Sequence, residues 1–411
     1  MSSSSSKEAA TASAAQSEGP PHEQRGMEVN KMGLRQRVKH FTFAWFLCTM
    51  STGGLAIAIR EAPHQFKGQY HISLTLFFFN LLLFLSFTLL TLLRFTTHKR
   101  HFLAAFSSPA ESFFAGAFTL STCVIIGGIQ TFAVTHGPAT PSLVSLVHVL
   151  YWVYAGVSLL AAVLQYWVVL RAASPKRPVL FSPSVFLAGY SCMLTGTLAS
   201  MMVAFQPRER QLAIVVSGVT YQGYGWCISF VGIVLYVKSL MDGGLPVHKA
   251  RPAMFIPVGS CAYTVVALVG MARGIAETGT EISSPAGVQP GDYFSKHPGS
   301  PEVLRVMALF ASIFLYAFAF WLFAIALVAN LSVVGSMPFG LSWWAFIFPN
   351  VGFALATSTL GRELESESIL WVASVMTILL VVVWIVAAVG CVRAVWKGEI
   401  VWPGKDEDKD R

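Results

Sequence analysis

The sequence predicts an all-α integral membrane protein in which ten transmembrane helices form five helical hairpins around a central pore. The first observation behind this prediction is composition: 55% of the 411 residues are hydrophobic and only 12% are charged, whereas a soluble domain carries about 25% charged residues. The second is a series of ten apolar runs, and the third is the placement of glycine and proline on alternate runs.

A helix needs about 20 apolar residues to cross the hydrocarbon core of a bilayer. Ten runs reach or approach that length, at residues 41–59, 72–95, 109–135, 143–170, 183–205, 212–237, 253–272, 303–330, 341–360 and 367–392. The seventh and ninth runs are the shortest and the most interrupted. We therefore expect a membrane domain over residues 40–393, between a disordered cytoplasmic tail at 1–39 and a cytoplasmic tail at 394–411.

Glycine and proline fall mainly on the odd-numbered runs. Those residues are Gly53, Gly54, Gly127, Gly128, Gly189, Gly196, Pro257, Gly259, Pro349 and Gly352. The second and eighth runs contain neither residue type, and the sixth run, with four glycines, is the exception. Because interrupted backbone is tolerated in a membrane only where protein or water covers it, we predict an inner ring of odd helices and an outer ring of even ones. Close helix packing through small residues is the alternative explanation, and we favour it for the sixth run.

The ninth run contains the most unusual local pattern, Trp343 to Phe353, with five aromatic residues around Pro349 and Asn350. Gly352 lies four residues after Phe348, so the two share a helix face, and a large ring beside bare backbone suits a plug over a narrow passage. A proline inside a helix also produces a kink. The pattern therefore fits a gate formed by Phe348, Pro349 and Gly352, and it also fits a kinked packing helix.

Hydroxyl and amide side chains on the odd runs are the candidates for lining such a pore. They are Ser51, Thr52, Gly53 (for its bare backbone), Thr122, Gln130, Thr195, Ser260 and Asn350. A lining of this kind would let an anion pass without binding it tightly. Serine and threonine are also ordinary residues inside membrane helices, so each one taken singly also fits a structural role.

Two titratable residues are candidates for coupling transport to protons. Glu111 follows Ser108 and Pro109 in a capping-box pattern, which makes a helix cap its simplest role, although acids within membrane segments are often functional. His148 lies in the fourth run, where a hydrogen-bonded structural role competes with a proton relay. Arg60 and Arg94 end the first two runs, where anchoring at the membrane interface is the usual role and guiding anions is the alternative.

Charge distribution predicts the orientation. The net charge is +8, and Lys and Arg concentrate before the first run, in the loops after the even runs and after the tenth. Both termini are therefore predicted to be cytoplasmic, and nucleic acid is a poor partner for a chain of this kind. The sequon at Asn330 would then face the cytoplasm.

All six cysteines lie in apolar runs without metal-ligand spacing, so no metal, cofactor or disulfide framework is predicted.

Several motifs together resemble the ten-helix tellurite-resistance and dicarboxylate transporter family, which includes fungal malate permeases, sulfite exporters and plant slow anion channels. The similarity extends over roughly 40–393. The segments that carry it are 40–56 in the first helix, 109–114 before the third, 196–200 in the fifth, 222–225 in the sixth, 251–259 at the seventh and 343–353 in the ninth. This sequence departs from the pattern at Ser260, where a proline is usual, and at 182–190, which lacks the usual prolines.

The resemblance implies five hairpins around a pore in each subunit, assembled as a homotrimer with three separate pores. It also implies that Phe348 matches the phenylalanine that occludes the pore in the anion-channel relatives. The expected function is transport of malate, succinate or a similar small organic anion across the plasma membrane. Glu111 favours the malate branch, and a sulfite or inorganic-anion exporter is the alternative on the same fold.

Two other classes of protein are alternatives to a transporter. An integral-membrane enzyme would need paired catalytic groups or a metal set at membrane depth, and the sequence shows no such cluster. A receptor would bind an anion without carrying it across.

Overall fold

The computed structural model describes residues 38–97, 102, 105–106, 109–172, 183–280 and 293–400. Most of both predicted tails, and the serine of the predicted cap at Ser108, lie outside these residues. The helices that run through the bundle are α1 Phe46–Arg60, α2 Gln69–Thr97, α3 Pro109–Ile129, α4 Pro141–Ala172, α5 Val185–Met202, α6 Arg208–Gly243, α7 Ile256–Thr280, α8 Ser300–Leu331, α9 Phe348–Glu363 and α10 Glu367–Trp396.

Short segments of tighter or wider helix extend several of these elements. A 3-10 turn precedes α1, a 3-10 turn follows α5, and 3-10 segments precede α7 and α9. At its C-terminal end α3 continues as a π-helix over Gln130–Thr135. Within the described residues nine helices are long and apolar enough to cross a membrane, and α9 is shorter, at 16 residues. The predicted all-α fold of ten helices is confirmed.

Burial separates the helices into two groups. In the most apolar stretch of each span, 94, 72, 83 and 83% of the residues of the spans containing α1, α3, α5 and α7 are buried. The corresponding shares for α2, α4, α6, α8 and α10 are 17, 33, 28, 28 and 22%. Most residues of α9 are also buried. The inner and outer sets predicted from glycine and proline placement are therefore confirmed, and we call them the inner and outer helices.

The inner helices form a closed ring. Contacts join α1 to α3, α3 to α5, α5 to α7, α7 to α9, and α9 back to α1. Each outer helix packs on the inner helix that precedes it in the chain, which gives five hairpins. The last outer helix, α10, also contacts α1.

Pairs of hydroxyl side chains reinforce the ring at buried positions. The Thr49 and Ser121 oxygens lie 2.7 Å apart between α1 and α3, and the Thr119 and Ser191 oxygens lie 2.5 Å apart between α3 and α5. Small polar side chains of this kind join membrane helices by hydrogen bonds where lipid offers none. Part of the polar content of the inner helices is therefore used for helix association.

The glycines of α6 serve close packing against α5, as predicted for this exceptional helix. A Cβ atom at Gly225 would lie 2.5 Å from the Met193 Cβ, and one at Gly196 would lie 2.6 Å from the Gly218 carbonyl oxygen. Real side chains do not approach so closely, so α5 and α6 can meet at this distance only with glycine at these positions. By contrast, Gly223 faces open space.

The ninth run differs from the expected bent helix. A 3-10 segment, Leu341–Phe346, leads into α9, and Pro349 occupies the first turn of that helix rather than its interior. The first helical turn suits proline because the backbone N–H that proline lacks would have no partner there. Pro349 therefore starts a helix inside the bundle and does not kink one.

Candidate functional site

Phe348 lies between two inner helices, α7 and α1. It is the first residue of α9 and only 2% exposed. Its ring centroid is 5.2 Å from that of Tyr263 on α7, at an interplanar angle of 30°. On the other side, a Cβ atom at Gly54 of α1 would lie 3.2 Å from the Phe348 Cδ2. The ring is thus held between α7 and α1, and a side chain at position 54 would press against it.

The local sequence explains why a helix begins at this depth. The 3-10 segment ends at Phe346, and the α-helix begins at Phe348. The Asn350 Nδ2 donates a hydrogen bond of 2.9 Å to the carbonyl oxygen of Phe346. That bond satisfies an acceptor that the change from 3-10 to α-helix would leave free. Gly352 faces Tyr263, where a Cβ atom would lie 2.6 Å from the Tyr263 Cε2. Asn350 and Gly352 therefore support the geometry around Phe348.

One face of α9 is turned to the interior of the ring. Val351 lies towards Gly54 of α1, Gly352 towards α7, and Phe353 packs on Tyr316 of α8. A third face of α9 lies between the face that contacts α7 and the face that contacts α1. It carries Phe348 and, at helical spacing, Leu355 and Thr359. Both later residues are half-buried, on a helix whose other residues up to Gly361 are buried.

On the inward face of α9, the half-buried positions lie on the C-terminal side of Phe348. They are Leu355 and Thr359, and Met201 of α5 is also half-buried towards the C-terminal ends of the inner helices. We call this end of the ring the C-terminal mouth, and we call the space beside these side chains the recess.

The three neighbouring candidates on α1 point to different partners. The Ser51 Oγ donates a hydrogen bond of 3.0 Å to the Trp344 carbonyl oxygen. The Thr52 Oγ1 accepts one of 3.0 Å from the Trp384 Nε1 on α10, which places Thr52 against an outer helix. A Cβ atom at Gly53 would meet Asn80 of α2 and Val124 of α3.

The candidates on α3 lie away from Phe348. Thr122 is half-buried and donates a hydrogen bond of 3.0 Å to the Phe118 carbonyl oxygen, on a face that packs on Phe84 of α2. Gln130 is fully buried at the start of the π-helix, where its Nε2 donates to the Thr135 Oγ1 at 3.1 Å.

The two remaining candidates, on α5 and α7, are fully buried. Thr195 of α5 lies 3.2 Å, oxygen to oxygen, from Ser158 on the outer helix α4. The Ser260 Oγ donates within its own helix to the Pro257 carbonyl oxygen at 2.7 Å. The structure thus brings together Phe348, Pro349, Asn350 and Gly352, and distributes the hydroxyl candidates among helix contacts.

Sequence reasoning missed Tyr263 and Gly54, although both contact Phe348. Gly54 was visible as the second half of the Gly53–Gly54 pair on the first run. Tyr263 lies four residues after Gly259, whose own face meets Pro349, so helical spacing from Gly259 would have found it. The signal was present in both cases, but choosing it required knowing which face of each helix turns inward.

Glu111 and Arg94 form a buried ion pair at the N-terminal ends of the inner helices. The Arg94 Nη1 and Nη2 donate to the Glu111 Oε1 and Oε2, the second at 3.1 Å, and Nη1 also donates to the Phe41 carbonyl oxygen at 3.0 Å. The side chains are 1% and 5% exposed. Arg94 is therefore no interface anchor, and the Glu111 carboxylate binds an arginine.

His148 is half-buried on the outer helix α4, beside Trp152.

A second charged group lies at the C-terminal mouth, and we call Arg60, Glu61, His136 and Arg362 the mouth cluster. The Arg60 Nη2 lies 3.0 Å from the His136 Nδ1, and the His136 Nε2 lies 3.0 Å from the Glu61 Oε1. The Arg362 Nη2 donates to the Glu61 carbonyl oxygen at 2.8 Å. Burial would raise the pKa of Glu61, but the His136 hydrogen bond, a charge on His136 and the charges of Arg362 and Arg60 lower it overall.

Comparison with known proteins gives consistent matches over almost the whole membrane domain. A family model described as voltage-dependent anion channel matches residues 40–392. A malic acid transport protein of Schizosaccharomyces pombe is 29% identical over 379 residues, which cover 91% of this chain and 83% of that protein. A sulfite efflux pump of Trichophyton rubrum is 23% identical over 368 residues, covering 88% of this chain and 93% of the pump.

Proposed function

The chain belongs to the voltage-dependent anion channel family, and from that premise we propose that it carries malate and related C4-dicarboxylates across the plasma membrane. The observation that carries the proposal is the Phe348 ring, held between Tyr263 and Gly54 inside a closed ring of five helices. Family membership gives anion transport, and the malic acid transport relative supports the choice of substrate.

In the proposed mechanism Phe348 is the gate. An anion enters the recess beside Leu355 and Thr359, and it passes when the Phe348 ring turns away from the space between α7 and α1. Gly54 leaves room for the Phe348 ring when the gate is closed, and Gly352 leaves room for the Tyr263 ring that packs on Phe348. The contacts of the ring are aromatic and glycine residues without charge, so an anion is not trapped at the constriction, as conduction requires.

We propose that neither coupling candidate carries protons. Glu111 binds Arg94 away from the ring interior, and removing the charge from one member of a buried ion pair is costly. His148 lies on an outer helix, beside Trp152. Both positions favour a route driven by voltage and the anion gradient over proton symport.

The test is labelled malate flux in proteoliposomes, with voltage and pH gradients imposed separately. We expect flux that follows voltage at constant pH. Flux that requires an inward proton gradient would overturn the uniport mechanism. An absence of malate flux would overturn the substrate assignment, provided that the purified protein elutes from size-exclusion chromatography in detergent as a single species.

A second candidate function is efflux of sulfite or another inorganic anion on the same fold. The similarity to a sulfite efflux pump over 88% of the chain is the observation that favours it. Competition separates the two: an excess of unlabelled malate should suppress labelled malate flux more strongly than equal sulfite or nitrate. The reverse order of potency would favour the inorganic-anion function.

We also propose a homotrimer with both termini in the cytoplasm. Asn330 does not decide this orientation, because its Nδ2 donates to the carbonyl oxygens of Arg251 and Ala326 and the residue is only 6% exposed, so the folded protein would not offer this sequon on either side of the membrane. Protease access to terminal tags in intact cells tests the orientation, and the mass of the protein–detergent complex tests the assembly.

A further inference from the structure

The contacts of the mouth cluster fit a neutral His136. Arginine carries only hydrogen-bond donors, so a hydrogen bond between the Arg60 Nη2 and the His136 Nδ1, which lie 3.0 Å apart, needs the lone pair of Nδ1 as its acceptor. The remaining proton of the neutral imidazole then lies on Nε2, which donates to the Glu61 Oε1 at 3.0 Å. The geometry is therefore that of a neutral histidine that bridges an arginine and a carboxylate.

A proton added to His136 changes only one of these two contacts. Nδ1 would then carry a hydrogen, the Arg60 hydrogen bond would be lost, and two positive groups would face each other at that distance. The Glu61 contact would strengthen, because it would become a charge-assisted hydrogen bond. Protonation therefore separates Arg60 from the cluster and leaves His136 on Glu61.

Arg60 has unused capacity to bind an anion. Its Nη1 donates to the Gln65 Oε1 at 3.0 Å, its guanidinium lies over the Tyr70 ring with 5.6 Å to the centroid, and its buried Nε has no hydrogen-bond partner. Nη2 and Nε form one edge of the guanidinium, and two donors on one edge bind a carboxylate in bidentate fashion. Because Nε is buried here, Arg60 has to turn on its release from His136 to expose this edge.

The mouth cluster lies at the end of the proposed route. Glu61 follows Gly54 by seven residues, so it continues the face of α1 that meets Phe348. Arg362 follows Phe348 by fourteen residues on the face that carries Leu355 and Thr359, about 21 Å further along α9. An anion entering through the C-terminal mouth therefore meets these arginines before it reaches Phe348.

We propose that the mouth cluster is a proton-gated docking site for the carboxylate of the transported anion, opened when protonation of His136 releases Arg60. Glu61 acts as an internal counter-ion that keeps the site closed while His136 is neutral. The inference rests on the proposed function, because it takes the docked anion to be the one that is carried.

The charged and titratable groups around His136 are few among the described residues. Arg60 and Glu61 face it from α1, and Arg362 of α9 acts on it through Glu61, with 3.8 Å between Nη1 and the Glu61 Oε2. From α2 the facing group is Tyr70, beneath Arg60. His71 follows Tyr70 on α2, with 5.5 Å between the two ring centroids. At the same end of the ring, His64 contacts Ser374 and Glu367 through its two ring nitrogens and stacks on Trp371.

The test uses His136→Gln, because a glutamine amide can accept from Arg60 and donate to Glu61 but does not titrate. Half-saturating malate is measured for proteoliposome flux at pH 5.5 and 7.5, with equal pH on both sides. Comparing the variant with wild type at each pH cancels the titration of malate itself. His148→Gln on the outer helix α4 is the control for loss of a histidine elsewhere.

We expect equal half-saturation of wild type and His136→Gln at pH 7.5, and about fivefold tighter half-saturation of wild type at pH 5.5, as for one partly exposed charged contact. The control should match wild type at both values. Equal half-saturation of wild type and His136→Gln at both pH values would overturn the proposal.

A second variant guards against misfolding of the first. Arg60→Gln should lose affinity about fivefold at pH 5.5 and little at pH 7.5, because Arg60 docks an anion only after its release. Equal loss at both values would also contradict the gating.

If wild type carries no malate, the proposed substrate fails, and the same variants are then compared by nitrate current, since nitrate stays ionised across this range. A pH-dependent difference there would retain the docking site.

Discussion

The Tyr263 hydroxyl donates a hydrogen bond of 3.0 Å to the backbone carbonyl oxygen of Phe348, while the two rings lie 5.2 Å apart. One side chain of α7 thus holds both the backbone and the ring of the first residue of α9. Phe348 lies at the junction between the 3-10 segment and α9, next to Pro349. The Tyr263 contact therefore fixes the direction in which the Phe348 ring projects.

Replacing Tyr263 with phenylalanine tests that relationship. The variant keeps the ring contact and removes the hydroxyl, so the closed position of Phe348 loses a hydrogen bond worth about 1 kcal/mol. We expect basal anion flux to rise by up to about fivefold, the population shift that such a difference allows. Tyr316→Phe is the matched control, since it removes a 2.8 Å contact to Thr357 of α9 away from the ring interior. Equal flux from both variants would contradict the specific role of Tyr263.

Replacing Phe348 with alanine tests the gate directly. The change removes the ring between α7 and α1, so conductance should increase and depend less on voltage, measured by patch clamp at matched surface expression. Phe353→Ala is the control, because Phe353 is an equally buried residue of α9 that packs on Tyr316 and Phe323 of α8. It should lower thermal stability without raising conductance. Unchanged conductance in Phe348→Ala would contradict the proposal that Phe348 is the gate.

The ring of inner helices could be predicted from the sequence, because close packing around a centre requires small residues and interrupted backbone on the helices that form it. Gly116 and Gly352 show the physical reason, since a Cβ atom at either position would overlap a residue of the neighbouring inner helix, Leu187 or Tyr263. The position of Phe348 was also readable, because the aromatic, proline and glycine residues of the ninth run occur together.

The directions of individual polar side chains could not be read in the same way. An inner helix has neighbours on several sides, and a hydroxyl can bond its own backbone, as Ser260 does, or an outer helix, as Thr52 and Thr195 do. The Arg94–Glu111 pair was hidden for another reason. It joins residues on two helices, and the sequence offered a sufficient local role for each of them.

Thiol labelling tests which face of α9 lines the recess. In a Cys227→Ser background, which removes the exposed cysteine, Thr359→Cys should react with a membrane-impermeant methanethiosulfonate reagent and lose flux. Thr195→Cys, at a fully buried position against Ser158, should stay unmodified. Labelling is read by mass spectrometry of the intact protein. Faster modification at position 195 than at 359 would contradict the proposed route.

Neutralising Glu111 should destabilise the protein rather than uncouple it. Glu111→Gln leaves the Arg94 guanidinium buried without a counter-ion, a loss of about 3–5 kcal/mol for breaking a buried pair from one side. We expect a marked fall in the thermal midpoint in detergent, whereas Asp242→Asn, which removes an exposed pair with Lys238, should change it little.

The double variant Arg94→Met with Glu111→Met separates structure from proton coupling. Replacing both charges with apolar side chains removes the unpaired charge, so stability should recover much of the loss seen in Glu111→Gln. Because we assign the pair a structural role, voltage-driven malate flux should survive in this variant, with the same response to an imposed pH gradient as wild type. Loss of that response in a stable double variant would make Glu111 part of a proton pathway.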